Sequence, residues 1–205
     1  MSRILLTGVN GQVGFELQQA LAPLGEVIAL TRQEMNLADP ASIIAALNQY
    51  QPTIIVNPAA YTAVDKAETD LEQAMAINAH APKVLAEWAA QHNALLVHYS
   101  TDYVFDGRKE AAYIESDIAN PQSVYGRSKW LGEEAIRAAT PHHLILRTSW
   151  VFGAHGNNFL KTILRLAKER DSLNIVADQF GAPTSAALIA DFSAQILQSY
   201  IASAH

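Results

Sequence analysis

The 205-residue chain contains no cysteine, which excludes disulfides and thiolate metal sites. It has no apolar run near the roughly 20 residues that cross a bilayer. It has no charged-then-apolar leader either, because the opening stretch Ile4 to Leu6 is far too short. Its seven histidines show no metal-ligand spacing. Charged residues make up 17% of the chain with a net charge of -6, a balance that argues against a nucleic-acid partner. Low-complexity tracts, internal repeats and an obvious linker are missing as well. Apolar residues, by contrast, are half of the total, enough for one sizeable core or one and a part. The expectation is a soluble, cytoplasmic protein with no membrane contact.

Short apolar runs recur along the chain at Arg3 to Thr7, Val27 to Leu30, Thr53 to Val56, Leu95 to Ser100 and Leu144 to Arg147, with a weaker one at Leu173 to Val176. Helical periodicity fills the gaps between them: Ala41 to Tyr50, Leu71 to His92, Ser123 to Ala139, Asn158 to Lys168 and finally Ala186 to Tyr200. Strands alternating with helices predict an α/β fold, a Rossmann-type doubly wound parallel sheet covered on both faces. In such sheets ligands bind beyond the carboxyl ends of the strands. The expected division is a dinucleotide-binding domain with the catalytic residues over 1–175, and the start of an incomplete substrate-binding region over 176–205.

The first strand runs straight into Gly8-Val-Asn-Gly11-Gln12-Val13-Gly14, and a helical pattern follows. Strand, glycine turn and helix form the context that a dinucleotide fingerprint requires. Gly8 suits the tight turn, Gly11 admits a pyrophosphate close to backbone, and Gly14 lets helix and strand pack closely. The amides at the helix start would face the phosphates. After the second strand, where a carboxylate often meets the adenosine ribose, stand Thr31 and Arg32. Arg32 would suit a 2′-phosphate and so NADPH over NADH, or it is an ordinary solvated arginine. Small residues in Asn57-Pro58-Ala59-Ala60-Tyr61-Thr62 would let backbone run beside a flat cofactor, or they form only a tight loop.

Tyr125 and Lys129 stand four apart in a helical stretch, Tyr125-Gly-Arg-Ser-Lys129, preceded in the chain by Ser100-Thr101-Asp102. Residues at this spacing share a helix face. A phenol beside an ammonium is expected to titrate below its ordinary value near 10, becoming a proton donor for reduction of a ketone. Thr101 would add a hydroxyl at the same substrate oxygen. Trp150 follows the Leu144 strand and would stack on a base or sugar, unless it is a core side chain.

Together, GVNGQVGFEL (Gly8 to Leu17), IIVNPAAYTAVDKAE (Ile54 to Glu68), HYSTDYVFDG (His98 to Gly107), VYGRSKWLGE (Val124 to Glu133), RTSWVF (Arg147 to Phe152) and DQFGAPT (Asp178 to Thr184) span nearly the whole chain. It resembles the extended short-chain dehydrogenase/reductases, and within them the dTDP-4-dehydrorhamnose reductase family. The resemblance implies reduction of the C4 ketone of dTDP-6-deoxy-L-lyxo-4-hexulose, with NADPH or NADH, to dTDP-L-rhamnose for cell-surface polysaccharide. It implies Tyr125 as general acid, Lys129 as the residue that tunes it and holds the nicotinamide ribose, and Thr101 as the hydroxyl partner. Asp102, Tyr103 and Trp150 would contact substrate. Gly11, Gln12 and Val13 match the pyrophosphate loop, Ala60, Tyr61 and Thr62 the segment alongside the cofactor, and Thr31, Asn36 and Leu37 the adenosine end. A related dTDP-4-ketosugar reductase, or a non-catalytic NAD(P)-binding regulatory subunit, would share much of this pattern. The chain departs from the family where Thr31 replaces a frequent acid and Asn36 a common Asp. Members are longer, with a C-terminal part closing over the nucleotide-sugar. Some form metal-bridged homodimers. Glu16 has no second carboxylate nearby in the sequence, so no metal is expected, Mg2+ included.

Overall fold

The computed structural model describes residues 2–203. Five strands, β1 (Ser2–Leu6), β2 (Gly25–Ala29), β3 (Ile54–Asn57), β4 (Leu95–Thr101) and β5 (His143–Thr148), form one parallel sheet in the order β2-β1-β3-β4-β5. The order reverses between β1 and β3, which opens a crevice beyond the carboxyl ends of those two strands. The doubly wound sheet expected from the alternating pattern is therefore present.

Side chains of successive strand residues point to opposite faces, and the core divides accordingly. Ile4, Leu6, Ile54, Val56, Leu95, Val97 and Tyr99 pack with Leu17 and Leu21 of helix α1 (Gln12–Leu21). Leu5, Ile55 and Leu96 face the other way, with Ile43 and Leu47 of α2 (Pro40–Tyr50). After a single-turn helix, α3 (Val64–Ala67), α4 (Leu71–Met75) continues through a π-helical turn, 76–80, into α5 (Ala81–Gln91). The long helix expected over Leu71 to His92 is thus interrupted by a wider turn. There Asn78, 1% exposed, holds the backbone of Tyr61 through both its amide groups and donates to Ser128. Helix α6 (Val124–Ala139) lies on the same face as α5 and contributes Ile136 to that core.

Beyond β5 the chain becomes looser. Strand β6 (Val151–Phe152) pairs only with β7 (Thr184–Ser185), and α7 (Phe159–Glu169) lies between them with no buried residue. The strand expected at Leu173 to Val176 does not form. Ile175 and Val176 are exposed, and no strand among the described residues supplies them with ladder partners. The final helix, α8 (Ala186–Ser203), returns to the sheet, placing Ile189, Ala190 and Leu197 against the α1 face. No helix among the described residues is long and apolar enough to cross a membrane.

Candidate active site

The glycine turn is built by close approaches that side chains would block. Gly8 sits at φ +60°, and a Cβ there would lie 2.9 Å from the backbone of Ala59. A Cβ on Gly14 would lie 2.1 Å from the Gly8 carbonyl oxygen. Gly11 donates to that same oxygen at 2.9 Å and precedes α1, whose first turn carries no side-chain cap. Beside this turn a cavity of about 170 Å³ is lined by Thr7 and Gly8 after β1, Leu30, Thr31 and Arg32 after β2, and Ala59 and Ala60 after β3. Met35, Asn36, Leu37 and Ile77 complete it.

Gly8, Thr31, Arg32, Asn36, Leu37 and Ala60 are thereby brought to one cavity, with Gly11, Gln12, Val13 and Gly14 in the adjoining turn. The sequence reading missed Met35 and Ile77, apolar residues with no motif of their own. It also missed Glu34, whose carboxylate accepts from both the amide and the hydroxyl of Thr31 at 2.8 Å. Those bonds hold the Glu34 carboxyl below its ordinary range. The Asn36 side chain is engaged in its own turn, accepting from the Ala38 amide at 3.1 Å. Tyr61 donates its hydroxyl to Asp70 at 3.0 Å, and Thr62 is exposed; neither lines the cavity.

At the carboxyl end of β4 the second group assembles. Thr101 is 5% exposed, accepts from the Tyr103 amide and donates to Asp102 at 3.1 Å. Helix α6 starts on a Ser123 cap and turns Tyr125 and Lys129 inward, 9% and 1% exposed. Gly126 allows this approach, since a Cβ there would lie 2.2 Å from the Tyr103 carbonyl oxygen. The Tyr103 ring meets Tyr125 edge-on at 5.5 Å between centroids.

The electrostatics correct one expectation. Burial pushes the Tyr125 phenol up to about 12, with Asp102 and Tyr103 acting in the same direction and the Thr101 hydroxyl against. The expected lowering by Lys129 is not found, because the lysine nitrogen bonds elsewhere: it donates to the Tyr99 carbonyl at 2.7 Å and lies 3.1 Å from Nε2 of His98. Burial pushes Lys129 down to about 7, opposed by Glu133 one turn along. Burial also pushes the Asp102 carboxyl up. Glu133, itself buried, is kept below its ordinary value by Arg147 from β5 and by Arg137, with bonds of 2.6 to 2.9 Å. Trp150 is 43% exposed at φ +45° and covers Gly181, where an added Cβ would lie 2.5 Å from the indole. It stands outside the buried group, on the side of α7, 6.4 Å from Phe159 between ring centroids. Among the described residues no cluster of His, Asp or Glu could hold a metal ion.

A nucleotide turn at the switch point, with a buried Tyr-x-x-x-Lys helix one strand away, is the arrangement of the extended short-chain dehydrogenase/reductases. The comparisons narrow it further. The family model described as RmlD substrate binding domain matches residues 1–205. A dTDP-4-dehydrorhamnose reductase of Burkholderia thailandensis is 52% identical over 195 residues, 95% of this chain and 65% of the relative. The structure of a Clostridium acetobutylicum dTDP-4-dehydrorhamnose reductase superposes with a TM-score of 0.92 at 41% identity, over 96% of this chain and 70% of that one. The Bacillus anthracis counterpart, solved in complex with NADP, gives 0.92 at 36% identity, over 97% and 71%. The chain belongs to the dTDP-4-dehydrorhamnose reductase family, and it spans about two-thirds of the length of the relatives it matches.

Proposed function

We propose that this chain carries the cofactor site and proton donor of an NADPH-dependent reductase that converts the C4 ketone of dTDP-6-deoxy-L-lyxo-4-hexulose to the alcohol of dTDP-L-rhamnose. The observation that carries this reading is the buried pairing of Tyr125 with Thr101 beyond the end of β4, on the same sheet edge as the glycine turn after β1, where the phenol keeps its proton at neutral pH.

The cradle fits a dinucleotide. Gly8, Gly11 and Gly14 leave no Cβ in the turn, and the first amides of α1 are free for a pyrophosphate. Thr31, Arg32 and Leu37 would hold the adenosine end, and Arg32 at the cavity rim suits a 2′-phosphate. Glu34 is occupied by Thr31 on the same rim. When bound, the reduced nicotinamide supplies the hydride that this chemistry requires.

The chain's own residues handle the proton. The Tyr125 hydroxyl, protonated and largely withdrawn from water, donates its proton to the C4 oxygen as negative charge develops there. Thr101, whose hydroxyl donates to Asp102 and accepts from the Tyr103 amide, would turn its single hydrogen from Asp102 to the same oxygen when substrate is bound. Lys129 lies one turn along the same helix with its nitrogen on His98 and the Tyr99 carbonyl rather than on the phenol, and its proposed part is to hold the nicotinamide ribose. Asp102, Tyr103 and Trp150 border the group on the side from which a sugar nucleotide would enter.

The test is a reaction of NADPH and the dTDP-4-keto-6-deoxysugar with the protein, following loss of reduced nicotinamide absorbance and identifying the product by NMR. Formation of dTDP-L-rhamnose is expected. Oxidation of NADPH with reduction of the ketosugar to the other C4 epimer would assign another ketoreductase. A folded protein that binds neither NADPH nor NADH would overturn the reading altogether.

A further inference from the structure

One buried array joins the two halves of the site, and the proton transfer described above does not use most of it. The Thr7 hydroxyl donates to Oδ1 of Asn57 at 2.6 Å. The Asn57 amide nitrogen lies 3.1 Å from Nδ1 of His98, whose Nε2 lies 3.1 Å from the Lys129 nitrogen. All four side chains are nearly sealed, with exposures of 2%, 0%, 0% and 1%. The sheet dictates the assembly. Asn57 and His98 are register partners on β3 and β4, and the strand alternation that sends Tyr99 to the α8 face sends His98 toward α6.

Donor and acceptor counting then constrains the protons. A neutral imidazole has one N–H and one lone pair, an ammonium has no lone pair, and an amide turned by half a rotation exchanges donor and acceptor without changing shape. With Thr7 donating to Oδ1, the amide nitrogen faces Nδ1, so Nδ1 accepts and Nε2 carries the hydrogen. That hydrogen points at Lys129, which must then present a lone pair and be a neutral amine. A charged Lys129 requires the reverse: Nε2 accepts, Nδ1 carries the hydrogen, and the Asn57 amide turns its oxygen toward the ring and its nitrogen toward Thr7.

We propose that His98, backed by Asn57 and Thr7, is a positioning residue for Lys129, and that its tautomer and the Asn57 amide reverse together whenever Lys129 gains or loses its charge. The array thereby satisfies the buried lysine in both forms. An isolated acceptor would take a hydrogen from either form but leave the neutral amine's lone pair without a donor. The electrostatics support this: Lys129 is brought to about 7 by burial, so both forms are populated near neutrality. His98 stays neutral, kept well below its ordinary value by burial and then by Lys129. Of the charged and titratable groups packed around the lysine, Glu133 and Tyr125 come from its own helix. Glu133 is neutralised by Arg147 of β5 and by Arg137 of α6, while Asp102 after β4 acts on Tyr125. Because Thr7 also lines the 170 Å³ cavity, the array ends at the wall of the nucleotide site.

The significance of the switch rests on Lys129 serving the proposed reduction, but the array can be read without turnover, so the two readings fail separately. The measurement is long-range 15N–1H NMR of the histidine-labelled chain from about pH 5.5 to about pH 9, which brackets the histidine range and the lowered lysine. His98→Gln identifies the ring by the loss of its signals. The expected result is a ring that stays neutral and exchanges an Nδ1–H form at low pH for an Nε2–H form at high pH. In Lys129→Met the exchange should vanish. In Asn57→Asp, whose carboxylate only accepts, the Nδ1–H form should persist across the range. A single tautomer in the parent chain at both ends, or the same exchange in Lys129→Met, would overturn the proposal. If Lys129→Met does not fold, the parent titration and Asn57→Asp decide it.

Discussion

Helices α6 and α7 start alike and end in opposite states. Each is capped by a side chain, Ser123 accepting from the Gly126 amide and Asn158 from the Lys161 amide, both at 3.0 Å. Yet α6 buries Tyr125, Ser128, Lys129 and Glu133, polar groups that cost free energy to remove from water. Meanwhile α7 leaves Phe159, Leu160 and Leu164 at 49 to 61% exposure. The difference lies in neighbours. The polar side of α6 meets His98, the Tyr99 carbonyl, Asn78 and Arg147, each with a complementary group. The apolar side of α7 meets no core cluster among the described residues. Amphipathic spacing identifies a face that differs from the rest of its helix, but burial follows what the tertiary fold sets against it.

The sharpest way to break this contrast is through chemistry. Tyr125→Phe removes the donated proton and little else, so single-turnover reduction with saturating NADPH should fall by about a hundred- to ten-thousand-fold. The NADPH dissociation constant should hardly move. A near-normal transfer rate would make Tyr125 structural, and α6 would then bury its phenol for packing alone.

Next in size is an effect on stability. A Cβ on Gly132 would lie 2.2 Å from the Asn78 carbonyl oxygen where α6 crosses the π-helical turn. Gly132→Ala should therefore cost about 1–3 kcal/mol by overpacking, seen as a lower urea midpoint. An unchanged midpoint would mean that the turn yields freely and that α6 is less tightly seated than its buried residues suggest.

A third test uses pH. Unfolded, Lys129 would titrate near 10.4; folded, it is brought to about 7. Between those values the unfolded chain binds the proton that the folded chain has released, so this residue makes stability rise with pH across the window. Below about 7 the folded chain must bury the charge in full. Lys129→Met removes that dependence. Its urea midpoint relative to the parent should be more favourable at about pH 6 than at about pH 9. The opposite order would place the ammonium in a stabilising site.

The smallest effect belongs to α7. Leu164→Gln alters a side chain that is 56% exposed and should change stability by less than about 0.5 kcal/mol. Urea unfolding checks this, and a loss of several times that size would show that the α7 face is covered in solution.

Much of this contrast was visible beforehand. The alternation of apolar runs and helical stretches located five strands and most helices, because burial on both faces leaves a continuous apolar signal. The failure at Leu173 to Val176 has the same root: a short apolar run becomes a strand only if another strand offers a ladder, and none among the described residues does. The glycine turn and the Tyr125–Lys129 spacing were legible as local geometry. Met35 and Ile77, which reach the cavity, and Glu34, which holds Thr31 at its edge, were not, since they come from loops and helices whose paths no short motif encodes. The phenol's titration was misjudged because four-residue spacing places two side chains on one face without stating which atoms they touch.

The sequence by itself determined the sheet, the glycine turn and the candidate catalytic side chains, all properties of neighbours along the chain. Only the tertiary structure decided that Lys129 bonds His98 and Tyr99 rather than Tyr125, and that Asn57 and Thr7 stand behind His98. Those contacts join residues on β3, β4 and α6 and at the end of β1. Their hydrogen-bond partners and loss of water, which set the proton affinities of the site, exist only once the sheet is assembled.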